Sequence, residues 1–292
     1  MRHIVQKAGM ATALAAIMGA VSLWGGNAEL EMAHKYYNCT NFDASLKVLN
    51  AIPDKDATVY QLSGLNYYMQ GDYKKAIESL ETALKYDPRS SMTTLWLARA
   101  YGRRAETSSP FSAMGYASRA RQNFERAGQL DPHNLEALSD LFEYYLDAPG
   151  FLGGGMDKAE AQVARITAVD PAEGQWAQAK IAEKRKQYGD LEEHLREAVK
   201  LAPRRIGLRL ELARFLARQG RFAEAEEAFA QAEEVAPGSP RVLFAKAETY
   251  VKASRNLQVA RQILQRYMSL ELTPDDPPRA DAAKLLRQAR GT

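Results

Sequence analysis

The chain has 292 residues, of which 46% are hydrophobic and 26% charged, a composition that excludes long disorder and collagen-like repeats. Its 39 lysines and arginines stand against 36 acids, and a net charge of +3 gives no electrostatic case for nucleic acid. The single cysteine excludes an internal disulfide framework and a cysteine-based zinc site.

Residues 1–28 read as an address. Arg2 and Lys7 form a short positive start, and from Ala8 to Ala28 there is no charge. Gly26, Asn27 and Ala28 then place small residues before Glu29, as a secretory signal peptide requires. The alternative is an uncleaved anchor, since 21 uncharged residues could just span a bilayer. Both put the remainder outside the cytoplasm, most simply in a periplasm, otherwise secreted or tethered facing it. Removal of residues 1–28 leaves 264 residues and, with Arg2 and Lys7 gone, a net charge of +1.

From there the chain repeats. Pro88, Pro132, Pro171, Pro203, Pro237 and Pro274 are spaced 44, 39, 32, 34 and 37 residues apart. Five of them close similar phrases: YDP, LDP, VDP, LAP and VAP. Proline cannot continue a helix and biases the preceding residue away from one. A period of this size means stacked supersecondary units. Residues 57–90 show the unit best. Tyr60, Gly64 and Tyr67 share one face of a first helix, Gly71-Asp72 makes a turn, and Ala76, Leu80 and Ala83 mark a second helix.

This pattern resembles the tetratricopeptide repeat, of the kind found in exported bacterial proteins. Tyr60-x2-Ser63-Gly64-x2-Tyr67, Ala76-x3-Leu80 and Pro88 carry the likeness, and Leu212-Ala213-x2-Leu216, Gly220, Ala225-x3-Phe229 and Pro237 carry it again. A third copy, with Leu97, Ala98, Tyr101, Ala120, Phe124 and Pro132, holds ten extra residues, expected between its helices around Thr107–Pro110. The resemblance implies an all-α, right-handed superhelical solenoid of about seven helix pairs. The repeats fall at 29–56, 57–90, 91–134, 135–171, 172–203, 204–239 and 240–274, within one solenoid domain over 29–292. A capping helix is expected over 276–290, with Asp276 as its N-cap and Pro277 and Pro278 at its start.

Catalytic chemistry has little to stand on. The segment PGFLGGGMDK at 149–158 has glycines at P-loop spacing, but Met156 stands where the lysine belongs and no strand precedes it. It reads as an elaborated turn, and Pro149, Gly150, Phe151, Leu152 and Gly153 are a candidate contact surface, as inserted turns in solenoids often are. The histidines lack ligand spacing, and Ser and Cys39 lack a nucleophile context. No catalytic, metal-binding or cofactor-binding residue is expected.

Charge is more informative. Glu136, Asp140, Glu143 and Asp147 share a helix face; Arg99 with Arg103, and Arg214 with Arg218, form basic pairs. The resemblance implies that first helices line a concave groove, where these residues would make basic, acidic and basic patches for an extended partner. The family's carboxylate clamp is not carried over, because its positions hold Gln61, Leu65 and Trp96. The expected function is a non-enzymatic scaffold or adaptor of the cell envelope, binding a peptide or protein. The alternative is a structural or self-associating factor for assembly of a pilus, secretion or cytochrome-maturation complex. The oligomeric state is open, and membrane association is expected only if the N-terminal segment stays.

Overall fold

A computed structural model describes residues 28–290, so the expected leader lies outside the described residues except for Ala28. The described residues form fifteen α-helices and no strand. In chain order they are α1 (Ala28–Asn38), α2 (Phe42–Ala51), α3 (Ala57–Met69), α4 (Tyr73–Tyr86), α5 (Ser91–Glu106), α6 (Pro110–Leu130), α7 (Leu135–Asp147) and α8 (Met156–Val169). There follow α9 (Pro171–Arg185), α10 (Tyr188–Leu201), α11 (Ile206–Arg218), α12 (Phe222–Val235), α13 (Pro240–Lys252), α14 (Leu257–Met268) and α15 (Arg279–Arg290). They group into seven consecutive pairs and a closing helix. The chain divides into two compact units, one ending at Asp170 and one beginning at Pro171.

The proline phrases act as the residues dictate. α4, α6, α8, α10 and α12 each end two residues before Pro88, Pro132, Pro171, Pro203 and Pro237. Inside the pairs a second device recurs. Thr40, Gly71, Lys186, Gly220 and Ser254 all have positive φ, between 51° and 79°. In each case the next residue's N–H donates back to a carbonyl five positions earlier: Asn41 to Tyr36, Asp72 to Tyr67, Gln187 to Ala182, Arg221 to Leu216 and Arg255 to Tyr250, at 2.8–2.9 Å. This is the Schellman closure, which satisfies orphan carbonyls and reverses the chain. Side-chain caps from Asn41, Asp56, Asp72, Ser90 and Asn134 satisfy the N–H groups at the other ends.

Small residues set the pair spacing. A Cβ added to Gly64 would lie 2.5 Å from Leu80 Cγ, so α3 and α4 close together only with glycine there. Within the first unit, α1 touches α3, α3 touches α5 and α5 touches α7; in the second, α11 touches α13. The first helices of these repeats therefore lie side by side.

Two expectations change. The ten extra residues of the third repeat do not form a loop: α5 has 16 residues and α6 has 21, against 13 and 14 in α3 and α4, so the insertion is helix. Pro110 begins α6 at a position where its missing N–H costs nothing. The closing helix starts at Arg279 rather than 276. Asp276 does not cap it, because its carboxylate turns back to accept from the Thr273 N–H at 2.9 Å and the Thr273 hydroxyl at 3.0 Å. The closing helix instead seals the last pair through Ala282 and Leu285 against Leu264, Tyr267 and Leu272.

Candidate partner-binding surface

Along the row of first helices in the first unit, aromatic and charged side chains from three repeats meet. Tyr68 on α3 sets its ring edge-on to Trp96 of α5 at 5.3 Å and to Tyr73 of α4 at 5.6 Å. The Arg99 guanidinium lies 4.7 Å from the centroid of the Trp96 ring. Its Nε donates to Asp140 Oδ2 at 2.6 Å and its terminal Nη2 to Glu136 Oε2 at 2.9 Å, both on α7. Arg99 is only 4% exposed, and Asp140 also 4%.

Local sequence explains the arrangement. Trp96 and Arg99 are three apart on α5, and Glu136 and Asp140 four apart on α7, so each pair shares a helix face. α7 is buried almost all round: every residue from Ala137 to Leu146 is buried. An acid at Asp140 is tolerated there because a guanidinium comes with it. Burial works against the charge of Arg99, but Asp140 and then Glu136 outweigh it, and the guanidinium is held more firmly protonated than a free arginine. Burial pushes the Tyr68 hydroxyl well above its ordinary range.

Arg103 belongs to the same strip. Its Nε donates to the Tyr73 hydroxyl at 3.1 Å, and it pairs with Glu106 at 2.6 Å. Glu143 is buried on α7, whereas Asp147 is exposed at its end. In the second unit, Arg214 pairs with Glu211 at 3.1 Å and stands 3.6 Å from Glu248 of α13, while Arg218 reaches Glu183 of α9 at 2.9 Å.

The expected patches are thereby corrected. Arg99 pairs with Glu136 and Asp140 across the repeat boundary, one cation against two carboxylates, so these residues do not present separate basic and acidic zones. Arg214 and Arg218 lie in the other compact unit and are paired there. Beside this buried pairing lies a strip of half-buried aromatic rings, Tyr68, Tyr73 and Trp96. Sequence reasoning missed Tyr68 as part of it; the cluster Tyr67-Tyr68 with Tyr73 was the available signal.

The inserted turn is a separate feature. A short 3₁₀ turn spans Gly150–Leu152, and Gly153 has φ +87°. A Cβ on Gly154 would fall 1.9 Å from the Ala148 carbonyl oxygen, so only glycine fits. The Tyr144 hydroxyl donates to the Leu152 carbonyl at 2.9 Å and lies 3.2 Å from that of Ala117. The turn is thus pinned to α6, with Phe151 standing 75% exposed. Among the described residues no group of three or more His, Cys, Asp or Glu is placed to hold a metal ion.

Residues 57–90 and 184–248 match family models described as tetratricopeptide repeat. The chain is a tetratricopeptide repeat protein. Comparison with curated proteins finds no significant sequence match. Among solved structures, a tetratricopeptide repeat protein from Parabacteroides merdae superposes with TM-score 0.57 at 14% identity, over 90% of this chain and 97% of that one. A thermophilic TPR protein from Thermus thermophilus gives 0.53 at 20% identity, over 64% and 97%. Yeast Tom70 gives 0.59 at 16% identity, over 86% of this chain and half of that one. At these identities the likeness is one of fold. Stacked tetratricopeptide repeats form protein-interaction scaffolds, and this repeat protein is built as one.

Proposed function

We propose that the protein is a non-enzymatic scaffold of the cell envelope, most simply periplasmic, that holds a peptide or protein partner along the inner face of its first helices. The observation that carries this is the strip Tyr73–Tyr68–Trp96–Arg99, continuous across the boundary between the α3–α4 and α5–α6 pairs and fixed from α7 by Asp140 and Glu136. Such a surface is rigid before binding, so a partner meets little ordering cost on the scaffold side. Half-exposed aromatic rings supply contact area, and aromatic residues are enriched where partners anchor. The uncharged stretch from Ala8 to Ala28 supports export.

Affinity capture from an envelope extract tests the reading. Trp96→Ala, on the inner face, is compared with Tyr86→Ala, an exposed aromatic on the second helix of a pair. The expected result is a partner captured by the native protein and by Tyr86→Ala, and at least about tenfold depleted with Trp96→Ala. Equal capture by both variants would sink the inner-face reading.

A further inference from the structure

The third and fourth repeats each carry an insertion, and the fold brings the two together on one edge. The first turns of α6 hold Phe111, 89% exposed, and Met114, 49% exposed, three positions apart on one helix face. The turn at 150–153 adds Phe151, 75% exposed. The Tyr144 hydroxyl joins the carbonyls of Ala117 and Leu152, and the Arg121 side chain packs beside Gly153, so α6 and the turn form a single ridge.

Cations flank the ridge. Arg104 lies over the Tyr116 ring at 5.7 Å, Arg119 over Tyr101 at 5.6 Å, and Lys158 over Tyr145 at 5.7 Å. Arg103 and Arg121 are neutralised by Glu106 and Glu125. Arg104, Arg119 and Lys158 have no carboxylate partner among the described residues; the Lys158 ammonium donates to the Gly153 carbonyl at 2.9 Å. The exposed carboxylates on these segments are Asp147 at the end of α7 and Asp157 and Glu160 in the first two turns of α8.

We infer that this ridge is a membrane-contact surface whose occupant is an anionic lipid bilayer. Separate apolar tips can enter the headgroup–acyl boundary without a matching hollow, which a protein partner would have to supply. Phenylalanine and methionine suit that depth, and unpaired cations beside them suit lipid phosphates. The contact is peripheral, since no helix among the described residues is long and apolar enough to cross a membrane. The surface is distinct from the inner-face strip, so it would place the scaffold at a bilayer and leave the strip free.

The test uses the chain from Glu29, because the packed cores are built from Leu30 onward and the apolar leader would itself bind lipid. It is sedimented with phosphatidylcholine vesicles, with and without phosphatidylglycerol. The native chain is expected to pellet with the anionic vesicles and to be released by salt. Phe111→Ser with Phe151→Ser, and Phe111→Ser alone, should weaken binding, the pair by about tenfold or more, with unchanged thermal unfolding. Arg104→Gln with Arg119→Gln should weaken it by about tenfold and flatten the salt dependence. The inference is overturned if the native chain pellets no better with anionic than with neutral vesicles, or if the phenylalanine variants bind like the native chain. Loss of protein capture by those variants, without vesicle binding by the native chain, would make the ridge a protein site and equally overturn it.

Discussion

Arg99 sits between two carboxylates of the next repeat and the face of Trp96, with almost no contact with water. Removing one member of a buried ion pair leaves the other charge uncompensated. Arg99→Met is therefore expected to lower stability by about 3–5 kcal/mol, read as a shift of the urea midpoint. Adding Asp140→Leu should recover most of the loss, since Glu136 keeps 20% side-chain exposure and can be hydrated. If Arg99→Met behaved like substitution of the exposed Arg119, the buried network would have no structural role. The sequence showed both stripes as helix faces, but their mutual pairing joins residues 37 and 41 positions apart and depends on how repeats dock. Local spacing holds no record of that, so Arg99, Glu136 and Asp140 read as patches rather than partners.

At the scale of the element, five of the seven pairs close on a left-handed turn residue. Glycine fills that position at Gly71 and Gly220, but Thr40, Lys186 and Ser254 fill it elsewhere, with φ of 56°, 60° and 51°. A side chain in this region costs roughly 1–2 kcal/mol, which glycine avoids. Lys186→Gly should thus raise stability by about 1 kcal/mol, measured by chemical unfolding. A destabilised Lys186→Gly would mean that the Lys186 side chain supplies more than the turn demands. This closure explains why the repeats at 57–90 and 204–239 were easy to see and others were not: where glycine is absent, the geometry persists but its marker is lost. The third repeat failed differently. Thr107–Pro110 looked like loop, yet Ser109-Pro110 is also a helix start, and Ala, Met, Tyr and Arg continue the helix beyond it. The closing helix was displaced by Asp276, whose nearest donors proved to lie behind it at Thr273.

For the whole molecule, proline spacing and small residues at Gly64, Ala76 and Ala83 were enough to foresee stacked helix pairs, because each unit must hide an apolar face against its neighbour. The proposed binding surface was half legible. Its charged members were found, but the aromatic strip over them comes from side chains whose roles as packing or surface only docking decides. The central claim is that partners lie along the inner first helices. Hydrogen exchange on the captured complex tests it most directly. Slowed exchange is expected in α3, α5 and α7, the helices that carry Tyr68, Trp96 and Glu136, relative to the free protein. Protection confined to α4, α6 and α8, with α3, α5 and α7 exchanging as in the free protein, would contradict it.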